Sequence, residues 1–150
     1  MLGYNRRVRQ VRSPKQEFAE FAWRVRVYYE DTDRGGVVYY ANYLRFFERA
    51  RSEWLRSLGV NQERMASVEG VGFVVARAEI DFRKGARLDD LLIVTVNPVE
   101  VKRSYLWLEQ EARLADGGVC AAARIKAACV SHKNMRPQPL PEELTARIAA

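Results

Sequence analysis

Tyr43, Phe47, Ala50, Trp54 and Leu58 fall at spacings of four, three, four and four residues, the interval at which side chains return to one face of a helix. That stripe predicts a long helix from about Asn42 to Leu58, buried along a single side. Gly59 supplies its stop, because glycine takes the left-handed backbone that closes helices. Asn61 can cap a short second helix ending near Gly70. No comparable stripe follows until the C-terminal tail, so one helix must share its buried face with strands alone.

The strands announce themselves by parity. Phe21, Trp23, Val25, Val27 and Tyr29 stand opposite Arg24 and Arg26, the alternation of a half-buried strand. VGFVVARAEIDF (71–82) ends with Ala76, Ala78, Ile80 and Phe82 against Arg77, Glu79 and Asp81. LLIVTVNPVEV (91–101) holds Pro98, which implies a bulge or an edge position. SYLWLEQEARL (104–114) and VCAAARIKAACVSH (119–132) flank Asp116-Gly117-Gly118, a tight hairpin signal. Val119, Ala121, Ala123, Ile125 and Ala127 give the last strand a face of mostly small side chains, suited to close packing. Pro141-Glu142-Glu143 opens a short C-terminal helix. Strand–helix–strand alternation does not recur, so a doubly wound parallel sheet is disfavoured. The expected class is α+β, a curved antiparallel sheet wrapped around one long helix.

A chain of 150 residues, 48% hydrophobic and 29% charged, suits one globular domain. The domain is expected over 20–150, after a flexible basic leader over 1–19. Arg6, Arg7, Arg9, Arg12 and Lys15 precede any acid. They hold five of the 25 bases, leaving 20 against 19 acids and most of the net +6 in the leader. A nucleic-acid partner is therefore not expected. No apolar run approaches the roughly 18 residues of a membrane span, and the N-terminus lacks a secretory core, so the expected location is cytoplasmic. Cys120 and Cys129 lie on one strand about 30 Å apart, beyond disulfide reach, and are expected as buried thiols. With one histidine and two cysteines, no metal site is expected.

The chemistry concentrates in EDTDRGGVVYYANYLRFFERAR (30–51). A calcium loop starting at Asp31 would need oxygen ligands at its fifth and twelfth positions, where Gly35 and Asn42 stand. Asp-x-Asp phosphotransfer needs a threonine at Gly35 and a parallel sheet. Serine hydrolysis is weakened because His132 is the sole histidine and G-x-S-x-G is missing. The bland alternative is that both aspartates only shape the turn. Gly35 and Gly36, however, permit close approach of a ligand. The helix start just beyond offers unpaired N–H groups and a positive dipole end. A carboxylate beside such donors is the minimum equipment for acyl transfer.

The segment VYYEDTDRGGVVYYANYLRFFERARSEWLRSLG, with the later EIDFRKGARLDDLLIV, resembles the hotdog-fold acyl-CoA thioesterases. The similarity is to the YbgC-type, Tol–Pal-associated group and its relative, 4-hydroxybenzoyl-CoA thioesterase. It runs from about Phe21 to Arg136. The resemblance implies hydrolysis of acyl-CoA to carboxylic acid and coenzyme A, without a cofactor beyond the coenzyme A of substrate and product. By motif position it makes Asp33, and not Asp31, the catalytic carboxylate, as nucleophile or general base. The backbone N–H of Tyr40 becomes the donor to the thioester carbonyl. It puts Gly36, Val37, Asn42 and Tyr43 along the substrate, and Lys102 and Arg103 at the coenzyme A phosphates. Arg83, Lys84 and Arg87 are weaker phosphate candidates, and His132 is expected to be structural. The implied assembly is a homodimer or homotetramer paired edge to edge, with sites at subunit boundaries. An acyl carrier protein or Tol–Pal-associated proteins are further partners it suggests. Two departures stand out: Tyr40 where the YbgC-type group usually has histidine, and Gly85 where proline is common. With the basic leader, the first keeps open a non-catalytic hotdog module that binds acyl carriers or envelope-associated partners.

Overall fold

The computed structural model describes residues 20–149; the expected leader lies outside them, as does Ala150. Strand β1 (Phe21–Arg26) leads through a 3-10 turn (Tyr29–Asp31) and a loop to helix α1 (Asn42–Ser57). A short helix α2 (Gln62–Arg64) runs into a π turn (Met65–Glu69). Then come β2 (Val71–Phe82), β3 (Leu91–Val101), β4 (Tyr105–Arg113), β5 (Val119–Ser131) and helix α3 (Glu142–Ala149). The five strands form one antiparallel sheet in the order β1-β3-β4-β5-β2. This is the expected α+β arrangement, with β1 and β2 as the sheet's two edges.

Helix α1 lies over β1, β3 and β4. Its buried face holds Tyr43, Phe46, Phe47, Ala50, Trp54 and Leu55, broader than the expected stripe by Phe46 and Leu55. These meet Leu92, Val94, Val96, Leu106 and Leu108, each no more than 1% exposed. Burying side chains of this size stabilises the fold by about 1.5–3 kcal/mol each. The terminators act as their residue types dictate. Gly59 is left-handed (φ 81°) and the Val60 N–H returns to the Leu55 carbonyl. Asn61 Oδ1 accepts from the Arg64 N–H at 2.9 Å.

The small face of β5 is buried as expected, with Ala121, Ala123, Ile125 and Ala127 all below a tenth exposed. Cys120 and Cys129 are free thiols, both buried, and burial pushes each thiol's ionisation up. Pro98 does mark a bulge: the β3–β4 register shifts between Pro98 and Glu100. It stands in an internal strand, but β1 pairing stops at Val96, so the missing N–H breaks no β1 ladder bond. The alternation of β1 fails at Trp23, 41% exposed on the edge strand, and at Tyr29, 83% exposed. Regular pairing of β1 ends at Arg26, and the 3-10 turn then swings Tyr29 off the buried parity.

Candidate functional site

The two aspartates have separate jobs. Asp31 is 7% exposed. Its Oδ2 accepts from the Tyr28 N–H at 2.8 Å, and its carbonyl accepts from the Tyr39 N–H and from Asn42 Nδ2, both at 2.9 Å. Asp31 therefore ties β1's exit to the helix entrance, and Asn42 is the helix end of that tie. Asp33 is exposed and sits at the tip of a small loop. Its N–H donates to the Val37 carbonyl at 2.9 Å, and its Oδ1 accepts from the Gly35 N–H at 2.8 Å. Gly36 closes the loop with φ 78°, a left-handed conformation that favours glycine.

Helix α1 starts without a side-chain cap. The N–H groups of Asn42, Tyr43 and Leu44 turn back onto the carbonyls of Tyr39, Tyr40 and Ala41 at 2.8, 3.3 and 3.2 Å. Among the described residues, the N–H groups of Tyr40 and Ala41 have no hydrogen-bond partner. They are the open donors at the positive end of the helix. Around them stands an aromatic wall. The Tyr40 ring meets Phe82 edge-on at 5.7 Å, Tyr39 lies 4.9 Å from Tyr40, and Tyr43 lies 5.9 Å from Phe82. The Tyr39 hydroxyl resists ionisation because it pairs with Tyr40 and, to a smaller extent, because the Asp33 carboxylate is close enough to act on it.

Tyr43 is 3% exposed, and its hydroxyl accepts from the Ala86 N–H at 3.3 Å. Burial pushes its ionisation up to about 12. Its ring forms the floor of the wall. Val37 bridges to Arg87, and the Val38 N–H donates to the Ala86 carbonyl at 2.8 Å. The Arg83–Asp90 connection therefore braces the Asp33 loop, and Arg87 is the member of the Arg83, Lys84, Arg87 group that reaches it. A Cβ at Gly85 would lie 2.8 Å from Val37 Cγ1, so the side chain of Val37 occupies the space a proline ring would begin to fill.

Lys102 and Arg103 stand elsewhere. The Val27 N–H donates to the Asp90 carbonyl at the Leu91 end of β3, beside the junction, whereas both bases follow Val101 at the other end. Eleven residues of strand separate these ends by roughly 30 Å. Within one chain the structure does not bring these two bases to Asp33. Lys102 Nζ lies 3.5 Å from Glu100. His132 packs its ring over Gly72, where a Cβ would lie 2.8 Å from Nε2.

Sequence patterning gave no sign of the polar network inside the core. Gln110, 1% exposed, donates from Nε2 to the carbonyls of Phe47 at 3.1 Å and Thr95 at 3.2 Å. It accepts from Arg51 at 2.9 Å. Arg51 in turn borders a groove of about 140 Å³ between α1 and the helix-facing side of β2, walled by Trp54, Leu55, Phe73 and Val75. The only sequence signal was a glutamine at an inward position of β4.

A single helix held by a curved antiparallel sheet, with a carboxylate loop just ahead of the helix tip, defines a hotdog-fold thioesterase. Comparison with known proteins agrees. The family model described as thioesterase-like superfamily matches residues 27–148. Acyl-CoA thioesterase YbgC of Haemophilus influenzae is 44% identical over 84% of this chain and 92% of its own. Acyl-CoA thioester hydrolase YbgC of Escherichia coli O6:H1 is 39% identical over 84% and 93%. A 1,4-dihydroxy-2-naphthoyl-CoA thioesterase from Synechocystis superposes with a TM-score of 0.81 at 26% identity, covering 87% of this chain and 96% of its own. The chain belongs to the thioesterase-like superfamily and is a thioester hydrolase.

Proposed function

We propose that this enzyme hydrolyses acyl-CoA thioesters to a free carboxylic acid and coenzyme A in the cytoplasm, with Asp33 and the Tyr40 N–H as its working groups. The observation that carries the reading is the unpaired Tyr40 N–H beside an exposed carboxylate loop. The thioester oxygen accepts from that N–H, which polarises the carbonyl and stabilises the oxyanion that follows. The Asp33 carboxylate attacks the carbonyl carbon or takes a proton from an attacking water. If Asp33 attacks, the C–S bond breaks to an acyl-Asp33 anhydride and the coenzyme A thiolate, and water then cleaves the anhydride to the free acid and restores the carboxylate. If water attacks, the C–S bond breaks directly to acid and thiolate. In either course the proton given up by the water goes to the departing sulfur. A backbone donor does not depend on the residue type, so Tyr40 serves where histidine is usual. The YbgC relatives of similar length carry the same activity in their names. Incubation with a panel of acyl-CoA substrates, followed by thiol detection, tests it. Asp33→Asn lowers turnover by at least about 10²-fold while thermal unfolding is unchanged; near-normal turnover sinks the assignment.

Bringing Lys102 and Arg103 to the coenzyme A phosphates requires a homodimer, because these bases lie roughly 30 Å from the Asp33 junction within one chain. Edge strand β2 has 12 residues, with Val75 and Phe82 each about half exposed on its helix-facing side. Edge β1 has six; both edges carry charges, Arg24 and Arg26 on β1 and Arg77, Glu79 and Asp81 on β2, so length sets them apart. A long edge with uncovered apolar groups favours pairing with another strand. Two-fold antiparallel pairing of β2 sets the Val71 end of one strand against the Phe82 end of the other. That brings the Lys102 and Arg103 end of the partner to the Asp33 end of the first chain, three strands from the dimer seam. At about 4.8 Å per strand this is roughly 15 Å sideways, a span suited to a pantetheine arm between thioester and phosphates. Lys102→Ala with Arg103→Ala raises KM for acyl-CoA and leaves kcat nearly unchanged. Unchanged KM removes these bases from the site.

A further inference from the structure

The groove beside Arg51 lies past the middle of α1, away from the chain's own reacting junction. Helix α1 rises about 1.5 Å per residue, which puts Arg51 roughly 13 Å beyond Asn42. On the β2 side the groove is walled by Phe73 and Val75, near the Val71 end. In the β2-paired dimer proposed above, on which this inference rests, that end adjoins the Phe82 end of the other copy. Phe82 is the ring that packs on Tyr40 and Tyr43. The groove is therefore nearer to the partner's thioester than to its own.

Its walls are apolar and its helix side is polar. Arg51 is half-buried, and this desolvation makes its charged form less favourable, although Glu48 offsets part of the effect. One of its nitrogens donates to Gln110 Oε1 at 2.9 Å. Among the described residues no carboxylate lies within 4.0 Å of it. A guanidinium has five N–H donors, so further donors remain for a ligand. Glu48, three residues earlier on the same helix face, accepts from Ser52 Oγ at 2.8 Å, and Gln62 Nε2 extends that row to Ser52 at 3.4 Å. Arg51 and the exposed Glu48 both line the groove with Phe73 and Val75, so it offers a donor and an acceptor beside apolar walls. A hydrocarbon chain fits the walls, and a terminal hydroxyl can donate to Glu48 while accepting from Arg51.

We infer that Arg51 and Glu48 of one subunit read the far end of the acyl group hydrolysed at Asp33 of the other, selecting acyl chains that end in a hydroxyl. A purely hydrocarbon chain offers the spare Arg51 donors no acceptor, and sites built for hydrogen bonding reject analogues that lack the group.

The test compares kcat/KM for butanoyl- through decanoyl-CoA with their omega-hydroxy counterparts. The hydroxylated substrate is preferred by about tenfold or more at the best length. Arg51→Gln and Glu48→Gln each reduce that ratio towards one, and Arg51→Lys retains part of it. Subunit mixing then tests the sharing. Asp33→Asn and Arg51→Gln chains are combined, so that each mixed dimer holds one site with both native residues. Hydrolysis of the hydroxylated substrate recovers to about one quarter of wild type, since half the dimers are mixed and half their sites intact. A ratio near one at every length overturns the selectivity, and no recovery on mixing overturns the sharing. If the wild type hydrolyses no acyl-CoA, the proposed function falls instead. The groove is then judged on binding: equal affinity for omega-hydroxyhexanoyl-CoA and hexanoyl-CoA overturns it, and a preference abolished by Glu48→Gln supports it.

Discussion

Two residues apart, Asp31 and Asp33 are chemically identical and live under different rules. Asp31 is spent on the Tyr28 N–H and on holding the helix entrance. Asp31→Ala leaves that N–H without its partner, a cost of about 1–3 kcal/mol, and urea unfolding will show a lower midpoint. Asp33→Asn should do the reverse, sparing the midpoint and removing turnover. Motif order pointed to Asp33 in the sequence; why Asp31 differs became legible only when the 3-10 turn buried it. Tyr43 gives a pH signature. Its phenol ionises at about 12 in the fold against an ordinary value of 10.0, chiefly because burial disfavours the phenolate. The folded state therefore holds the proton more tightly. This contribution to stability is complete below pH 10 and is lost as pH rises through about 12. Tyr43→Phe should be somewhat less stable at neutral pH, by roughly 0.5–1.5 kcal/mol for the lost Ala86 contact. Its stability should also fall less steeply between those two pH values, as measured by denaturant titration at several pH settings.

At the scale of elements, α1 carries the core, and its first turn carries the proposed chemistry. Phe47 is fully buried against the sheet. Phe47→Ala is expected to cost about 3–5 kcal/mol, seen as a shifted urea midpoint. Activity should disappear only where the protein unfolds, because Phe47 is nearly two turns beyond the open donors. Period and punctuation made most elements readable: the helix with its Gly59 stop, the Asn61 cap, the bulge at Pro98 and the hairpin at Gly117. Tyr29 was misplaced because alternation continues in the letters after the strand has stopped pairing. Phe46 and Leu55 escaped the stripe because the sheet curves around α1 and covers a wider arc than a single row. Arg51 and Gln110 were invisible for a different reason. A hydrogen bond between residues 59 apart in sequence leaves no periodic trace.

For the whole molecule, the proposed function builds one site from two chains. Lys102 and Arg103 are about a strand's length from Asp33 in their own chain, and the Arg51 groove lies past the middle of α1. Both make sense at a β2–β2 seam. Ala78→Glu puts a charge on the exposed, helix-facing side of that edge, where edge charges prevent pairing. Sedimentation should show the variant as a monomer and assay should show it inactive, with α1 still folded by circular dichroism. An active monomer would place the whole site within one chain. Among the described residues no helix is long and apolar enough to cross a membrane.

By itself the sequence determined what is local: where one face repeats every three to four residues, where glycine and asparagine must stop it, and which short segment carries a carboxylate ahead of a helix start. Those features depend on neighbours along the chain, and a linear string records them. Only the tertiary structure decided which aspartate is buried, which backbone donors remain open and which basic residues lie a sheet's length away. These follow from where distant segments pack, because burial and hydrogen-bond partners are set by the curvature and strand order of the sheet.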